Sequence, residues 1–270
     1  MNDPTWALAL FHRSILKQQK WQVLSTWLGP TQGLRCLDLG ADNGIISYLL
    51  RQQGGDWASA DLDPHAVDSI RSLVHSDVHQ LHGGRTPFAD GEFDRVVIVD
   101  LLEHLEDDHG FLEELGRIMR PGGELIINVP HVKPSFLRRF RLAIGQTDEQ
   151  HGHVRPGYTV ETLRRALGDV FTVVGAQTYS RFFSQCVDTL VTAVAGIAKR
   201  GHGASSKGLV ITERDVDQSR RWLTLYGLIY PIMWLMAQLD RLLLFRSGYL
   251  LVVKARRVPV PAAVACEAIR

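Results

Sequence analysis

The sequence has few cysteines and no excess of charge of either sign. Its 270 residues contain three cysteines, Cys36, Cys186 and Cys266, which are odd in number and far apart. This argues against a disulfide scaffold and a cysteine-based zinc site, and it suits a reducing compartment. Lysine and arginine number 30 against 29 for aspartate and glutamate. No overall basic field is therefore present to bind nucleic acid, and we expect no nucleic-acid partner.

We also expect no signal peptide. The N-terminus carries Asp3 before a short apolar run, and His12 and Arg13 follow that run. We therefore expect a cytoplasmic protein. With 45% hydrophobic and 22% charged residues, the composition is that of a globular chain, long enough for one large domain with an insertion.

Strand-like and helix-like segments alternate along the first half of the chain. Residues 5–28 predict one amphipathic helix, which Gly29 and Pro30 end. Apolar, β-branched runs such as Arg95–Asp100 are typical of parallel strands buried on both faces. This order predicts a parallel sheet covered by helices. The predicted strands span 34–39, 57–61, 95–100 and 124–129, and the predicted helices span 44–52, 64–74 and 110–119.

The second half has a different pattern. It predicts a helix over 159–167, a strand over 171–178 and a last strand over 248–256. Between the last two strands lie apolar helical stretches around a glycine- and serine-rich link, residues 201–208. The expected layout is a cap helix over 1–30, a main domain over 31–182 and 247–257, a helical insertion over 183–246, and a flexible tail over 258–270.

A glycine turn after the first strand indicates a nucleoside site. Gly40 and Gly44 lie between the strand and the next helix, and Asp61 ends the second strand 21 residues after Gly40. Glycine lets the backbone approach a ligand, and a carboxylate at this distance is typical of a ribose contact. The turn lacks the third glycine that cradles a pyrophosphate. The pattern therefore favours a nucleoside without one, although a plain strand-to-helix turn is the alternative.

Five segments in order resemble the motifs of the class I S-adenosylmethionine-dependent methyltransferases. The similarity covers roughly residues 30–180 and the last strand, within the small-molecule branch that includes quinone-biosynthesis methyltransferases. Five ordered motifs are far more specific than any one of them. The segments are LDLGADNG (37–44), ADLDP (60–64), TPFADGEFD (86–94), LLEHL (101–105) and RIMRPGGEL (117–125).

The resemblance implies a Rossmann-like fold and S-adenosyl-L-methionine as cofactor. The expected α/β sheet has seven mostly parallel strands with helices on both faces, an antiparallel last strand, and the helical insertion before it. The implied cofactor residues are Asp38 and Gly40 beside the methionyl group, Asp61 on the ribose, Leu62 on the adenine, and Gly44 and Asp100 around them. Residues 81–85 lack the carboxylate that many relatives carry near the adenine amine, so a backbone group would have to meet that amine.

Two histidines are candidates for proton transfer during methylation. His131 directly follows the strand over 124–129, and His153 lies in a loop that resembles a substrate-closing element of related methyltransferases. The alternative for His131 is a strand-terminal histidine bonded to a backbone carbonyl. For His153 it is an imidazole on a solvated loop, or a metal ligand together with His151.

Whether a metal binds is left open by the sequence. Asp100, Glu103 and His104 resemble an acidic-x-x-Glu-His cluster that binds a divalent cation in some quinone O-methyltransferases. Such a cation would hold an acceptor hydroxyl and lower its pKa. In other relatives the same histidine packs near the cofactor without a metal, so a structural role is the alternative.

Two segments point to a lipid-like acceptor and an anionic membrane surface. Residues 222–239 carry no charge, and Lys133–Ile144 predicts a short basic amphipathic helix. A membrane span is disfavoured because a sheet strand follows at 248–256. The alternative is a buried helical cap over the substrate.

The sequence thus predicts a methyltransferase acting on a small or lipid-like acceptor. A catalytically inactive binding module on the same fold is one alternative. A nicotinamide-dependent oxidoreductase is another, and the glycine turn disfavours it.

Overall fold

Seven strands form one sheet in the computed structural model, which describes residues 5–40, 43–133, 137–138, 152–199, 230–243 and 245–259. The strands are β1 (Arg35–Leu39), β2 (Asp56–Asp61), β3 (Val78–Gln80), β4 (Phe93–Val99), β5 (Met119–Pro130), β6 (Phe171–Tyr179) and β7 (Leu250–Arg257). The helices are α1 (Thr5–Arg13), α2 (Ile15–Leu28), α3 (Ile45–Gln52), α4 (Pro64–Val74), α5 (Asp108–Ile118), α6 (Val160–Leu167) and α7 (Phe182–Lys199). Residues 230–238 are also helical, and 3-10 turns span Leu102–His104 and Leu239–Leu243.

The strand order is β3-β2-β1-β4-β5-β7-β6. Strands β1 to β5 run parallel to one another, whereas β7 pairs antiparallel with both β5 and β6. The predicted Rossmann-like sheet with an antiparallel last strand is therefore confirmed. The order reverses between β1 and β4, so a crevice is expected beyond the carboxyl ends of these two strands.

Alternate residues of the central strands face two separate cores. In β4, Val96 and Ile98 belong to one apolar cluster, whereas Val97 and Val99 belong to the cluster on the opposite face. Helices cover both faces, because α5 and α6 contribute to the first cluster and α2 and α3 to the second. Burying one such valine or leucine contributes about 1.5–3 kcal/mol, so these two layers fix the position of the strand ends.

The single helix predicted over residues 5–28 is wrong. Ser14 has an extended backbone and interrupts it, and its side chain accepts a hydrogen bond from the Lys17 amide at 3.3 Å. Serine is a preferred N-cap because its short side chain can satisfy an open amide of the first helical turn. The chain therefore forms α1 and α2, and α2 ends at Leu28 before Gly29, as predicted.

The boundary between α5 and β5 also differs from the prediction. The helix begins at Asp108, because the Asp107 carboxylate accepts from the Gly110 amide, and it ends at Ile118 rather than Met119. Met119 instead pairs with Phe93, and an irregular register separates this pair from the regular ladder. Pro121 therefore lies within β5, in the stretch between these two parts of the ladder. The short strand β3 carries too weak a pattern to be predicted.

Part of the predicted insertion lies outside the described residues. So do the link at 201–208, residues 139–144 of the basic segment, His151, and the tail beyond 259. In the described ranges, α7 packs with the 230–238 helix through a small apolar cluster that contains Val187, Met233 and Ala237. None of the described helices combines the length and apolar character needed to cross a membrane.

Candidate functional site

The glycine turn closes tightly onto the neighbouring strands. The Gly40 amide donates to the Ala60 carbonyl at 3.1 Å, which ties the end of β1 to β2. Gly40 has a φ of +79°, and an added Cβ would lie 2.4 Å from the Val99 carbonyl oxygen and 2.9 Å from the Leu101 Cβ. Only glycine satisfies both conditions. The backbone of the turn therefore lies directly at the switch point between β1 and β4.

Gly44 starts α3 and packs against α4. Its φ is +82°, and an added Cβ would lie 2.8 Å from the Ile70 Cα. No side chain caps the helix at this residue. The preceding Asn43 accepts a hydrogen bond from the Lys17 ammonium at 3.2 Å. Helix α2 thus reaches the turn, a contact between residues so far apart in sequence that no local pattern indicates it.

Asp38 is fully buried behind the turn. Its two carboxylate oxygens accept hydrogen bonds from Ser47 at 3.1 Å and Ser59 at 3.0 Å. Burial raises the pKa of Asp38 to about 6, against the opposing effects of these hydroxyls and of Arg51. The carboxylate thereby connects β1 to α3 and β2. Its expected contact with the methionyl group stays a prediction.

The raised pKa of Asp38 predicts a pH-dependent stability. Between about pH 4 and pH 6 the folded state holds a proton that the unfolded state has lost, so the free energy of unfolding falls as pH rises. Asp38→Asn removes this titration. The free energy of unfolding of the variant, minus that of wild type, should therefore rise by on the order of 2–3 kcal/mol as the pH is raised across that window. Urea unfolding at pH 4, 5, 6 and 7 measures this, and parallel stability curves would contradict it.

Asp61 lies at the carboxyl end of β2, one strand away from the turn. Its side chain is 7% exposed, and Oδ1 accepts from the Asp63 amide at 2.9 Å. This local bond orients the carboxylate at the end of the sheet where Gly40 follows β1. Leu62, next to it, is partly buried against the core. Both residues thus lie at the sheet edge where the sequence expects the ribose and adenine.

Asp100 directly follows β4 and has a left-handed conformation, with a φ of 47°. Its Oδ2 pairs with the Lys20 ammonium of α2, and its Oδ1 accepts from the Asn128 amide at 2.7 Å. Asn128 in turn accepts from the Tyr179 hydroxyl. Strained backbone at a non-glycine residue is often found at functional sites. Lys20 was not predicted, and the only signal for Asn128 is an amide within an apolar strand.

His131 follows β5 and is held by backbone groups. Its amide donates to the Tyr249 carbonyl at 2.8 Å, and its Nδ1 lies 2.9 Å from the Gly248 carbonyl oxygen. Because a carbonyl only accepts, Nδ1 carries the proton and Nε2 presents a lone pair. The histidine is thus both bonded to a carbonyl and left with a basic nitrogen.

Glu103, His104 and His153 form a cluster after β4. One ligand atom from each lies within 4.8 Å of the others. The His104 and His153 rings meet edge to face, with centroids 4.8 Å apart. Glu103 is fully buried, and burial together with the charge of Asp100 raises its pKa well above the usual value. The structure therefore joins His153 to the pair that the sequence places with Asp100.

These residues surround one edge of the sheet. Asp61 ends β2, Gly40 and Asp100 directly follow β1 and β4, and His131 follows β5. His153 comes to the same region because its neighbour Val154 donates to the Glu103 carbonyl at 2.9 Å. The arrangement offers close backbone approach, a buried carboxylate for a diol, and an imidazole, which together suit a nucleoside cofactor and proton removal.

Comparison with known proteins matches this site to one domain family. A family described as "Methyltransferase domain" matches residues 37–127, which include the glycine turn, Asp61 and the Glu103 segment. The resemblance to class I S-adenosylmethionine-dependent methyltransferases is thereby confirmed over this segment. The match supports methyl transfer rather than hydride transfer.

Individual relatives agree with this assignment. The chain is 28% identical over 118 residues to a demethylmenaquinone methyltransferase of Tropheryma whipplei (strain Twist), covering 42% of this chain and 49% of the relative. It is 33% identical over 124 residues to a ubiquinone biosynthesis O-methyltransferase of Azorhizobium caulinodans, covering 43% and 47%. The chain thus spans about half the length of the curated relatives it matches.

A solved structure shows the same fold. Geranyl diphosphate C-methyltransferase from Streptomyces coelicolor A3(2), in complex with Mg²⁺, geranyl diphosphate and S-adenosyl-L-homocysteine, superposes with a TM-score of 0.54. The alignment covers 90% of this chain and 78% of that one at 13% identity. At this identity the likeness concerns the fold. With the family match, it supports S-adenosylmethionine as the cofactor.

Proposed function

We propose, on the premise that residues 37–127 form a class I S-adenosylmethionine-dependent methyltransferase domain, that this protein methylates a small, lipid-like acceptor. One observation carries the proposal. The Gly40 turn lies against β2 and β4, with the buried Asp61 carboxylate at the next strand end. A nucleoside with a diol fits this pair, whereas a pyrophosphate finds no third glycine.

Calorimetry tests the cofactor. S-adenosylmethionine and S-adenosylhomocysteine should bind the full chain with one-to-one stoichiometry, whereas NAD should give no heat of binding. Conversion of methyl-labelled S-adenosylmethionine with a panel of phenolic and quinol acceptors then separates an enzyme from a binding module. Binding of NAD with no binding of S-adenosylhomocysteine would contradict the proposal.

The cofactor supplies an activated methyl group when it is bound. The chain has to orient the cofactor, exclude water and remove a proton from the acceptor. Asp61 and the Gly40 turn provide the orientation. We assign the proton to His131, whose Nε2 carries the lone pair because Nδ1 is bonded to Gly248.

Replacing His131 with glutamine tests this assignment. Glutamine can still donate to the Gly248 carbonyl but cannot accept a proton near neutral pH. We expect the turnover rate to fall about 10²–10⁴-fold while the affinity for S-adenosylhomocysteine stays within about twofold. Equal losses of rate and cofactor affinity would instead give His131 a structural role.

An apolar surface near the C-terminal strand supports a lipid-like acceptor. On the 230–238 helix, Met233 and Ala237 are buried, whereas Ile232, Trp234 and Leu235 are about half or more exposed. The exposed apolar surface continues to Leu242 at 73% and Phe245 at 79%. Exposed apolar side chains in such number mark a site of protein or membrane interaction. The names of the two curated relatives, which concern quinones, agree with an apolar acceptor.

Positive charge borders this surface. Lys133 donates to the Ser247 carbonyl, and Arg181 donates to the Arg246 carbonyl at 2.9 Å. Burial lowers the pKa of Lys133, with Asp240 opposing this effect and Arg246 and Arg181 adding to it. Arg241 is exposed on the 3-10 turn beside Leu242. We propose that this surface binds the anionic cytoplasmic face of a membrane, where the apolar side chains insert and the cations contact lipid headgroups.

Arg241→Gln tests the membrane contact. One arginine near an anionic surface contributes about 1 kcal/mol, so the variant should bind phosphatidylserine-containing vesicles about fivefold more weakly. Co-sedimentation at low salt measures the affinity. Arg164→Gln is the matched control, since Arg164 is an exposed arginine on α6, and it should bind as wild type does. If the wild-type protein stays in the supernatant, the membrane contact is contradicted, and the apolar surface serves only as a cap over the substrate.

A further inference from the structure

The side chain of Glu103 is fully buried and ends in a carboxylate whose burial calls for a partner. Among the described residues, neither carboxylate oxygen accepts a hydrogen bond from another residue. A buried carboxylate is costly unless a proton, a hydrogen-bond donor or a cation meets it. Its ligand oxygen lies within 4.8 Å of ring nitrogens of His104 and His153.

His104 is oriented as metal-binding histidines are. His104 Nδ1 lies 2.9 Å from the Gly152 carbonyl oxygen, so Nδ1 is protonated and Nε2 presents a lone pair. Metal-binding histidines commonly donate their other ring nitrogen to a backbone carbonyl in this way. The bond also ties His104 to the loop that carries His153. The same loop is held by the Val154 amide on the Glu103 carbonyl.

Asp100 does not share this arrangement. The resemblance places a cation on Asp100, Glu103 and His104, but here the Asp100 carboxylate accepts from Lys20 and Asn128. An ammonium on the carboxylate competes directly with a metal ion. The ligand set that the resemblance implies therefore does not fit this chain, and a different set does.

We infer that this chain binds a divalent transition-metal ion through Glu103, His104 and His153, with Asp100 outside the ligand set. Two imidazoles and one carboxylate suit Fe²⁺, Co²⁺ or Zn²⁺, whereas Mg²⁺ favours oxygen ligands. The site would fix the 152–155 loop to the end of β4. It does not depend on the proposed methyl transfer, and no step of that reaction is assigned to it.

Cobalt titration of the metal-stripped full chain tests the inference. We expect one Co²⁺ per chain, with visible absorption bands of a nitrogen- and oxygen-ligated ion, displacement by Zn²⁺ and no competition from Mg²⁺. Glu103→Gln and His153→Gln should each weaken Co²⁺ binding by more than the roughly 10–100-fold that loss of a supporting residue costs. Asp100→Asn should stay within about threefold of wild type, since it removes no ligand.

Matched controls separate binding from folding. His109→Gln alters an exposed histidine whose Nδ1 also bonds a carbonyl, that of Ala166, and should leave Co²⁺ affinity unchanged. Far-UV circular dichroism and thermal unfolding report the fold of each variant. If Glu103→Gln unfolds, His153→Gln decides. The inference fails if wild type binds no stoichiometric Co²⁺, if Mg²⁺ competes equally, or if Asp100→Asn abolishes binding while His153→Gln keeps it. Failure of wild type to bind S-adenosylhomocysteine would overturn only the proposed function.

Discussion

Gly40→Ala should destabilise the protein by about 2–5 kcal/mol and remove measurable cofactor binding. Alanine in the left-handed region costs roughly 1–2 kcal/mol, and its Cβ would lie 2.4 Å from the Val99 carbonyl oxygen. Backbone cannot move away as a flexible side chain can, so the overlap adds roughly 1–3 kcal/mol. Thermal unfolding should then occur about 4–20 °C lower, at roughly 2–4 °C per kcal/mol for a chain of this size.

Gly83→Ala is the matched control for this result. Gly83 has a similar φ of +82°, but an added Cβ there meets no atom within 4 Å. This variant therefore carries only the conformational cost, about 1–2 kcal/mol, and should keep its affinity for S-adenosylhomocysteine. Equal melting temperatures for the two variants would mean that contact with β4 has no role at Gly40.

The sheet and the cofactor end of the site follow from local sequence. Local patterns predict the roles of Gly40 and Asp61 and the positions of the apolar strands. Turn chemistry and strand burial depend on residues that are near neighbours in the sequence. The order of the five motifs supplies features of the fold that these local patterns leave undetermined. The antiparallel last strand, for instance, came from the resemblance and is confirmed by the pairing of β7 with β5 and β6.

Contacts between residues that are far apart in the sequence cannot be predicted from local patterns. Lys20 meets Asp100 across 80 residues, and His153 meets His104 across 49. Each pair depends on how a helix or loop packs over the finished sheet, which no periodicity encodes. The break at Ser14 was missed for a related reason. Apolar spacing continues through it, and only the cap hydrogen bond ends one helix and begins the next.

Asp61→Ala should weaken binding of S-adenosylmethionine and S-adenosylhomocysteine by about 10- to 100-fold. A buried ionised acceptor on a diol contributes roughly 1.5–3 kcal/mol, and Asp61 is 7% exposed at the end of β2. Asp61→Asn should lose less, because the amide oxygen can still accept from one hydroxyl. Calorimetry at 25 °C on variants with native circular dichroism measures both.

The control for Asp61 lies two residues along the chain. Asp63 caps α4 by accepting from the His65 amide at 2.9 Å, so Asp63→Ala should lower stability by about 1 kcal/mol. Because the cap points into the helix rather than toward the strand ends, cofactor affinity should stay within about twofold. If a folded Asp61→Ala variant kept wild-type affinity, the ribose would not bind at the end of β2. The same loss of affinity in both variants would show that binding responds to the whole loop after β2, not to a carboxylate on the diol.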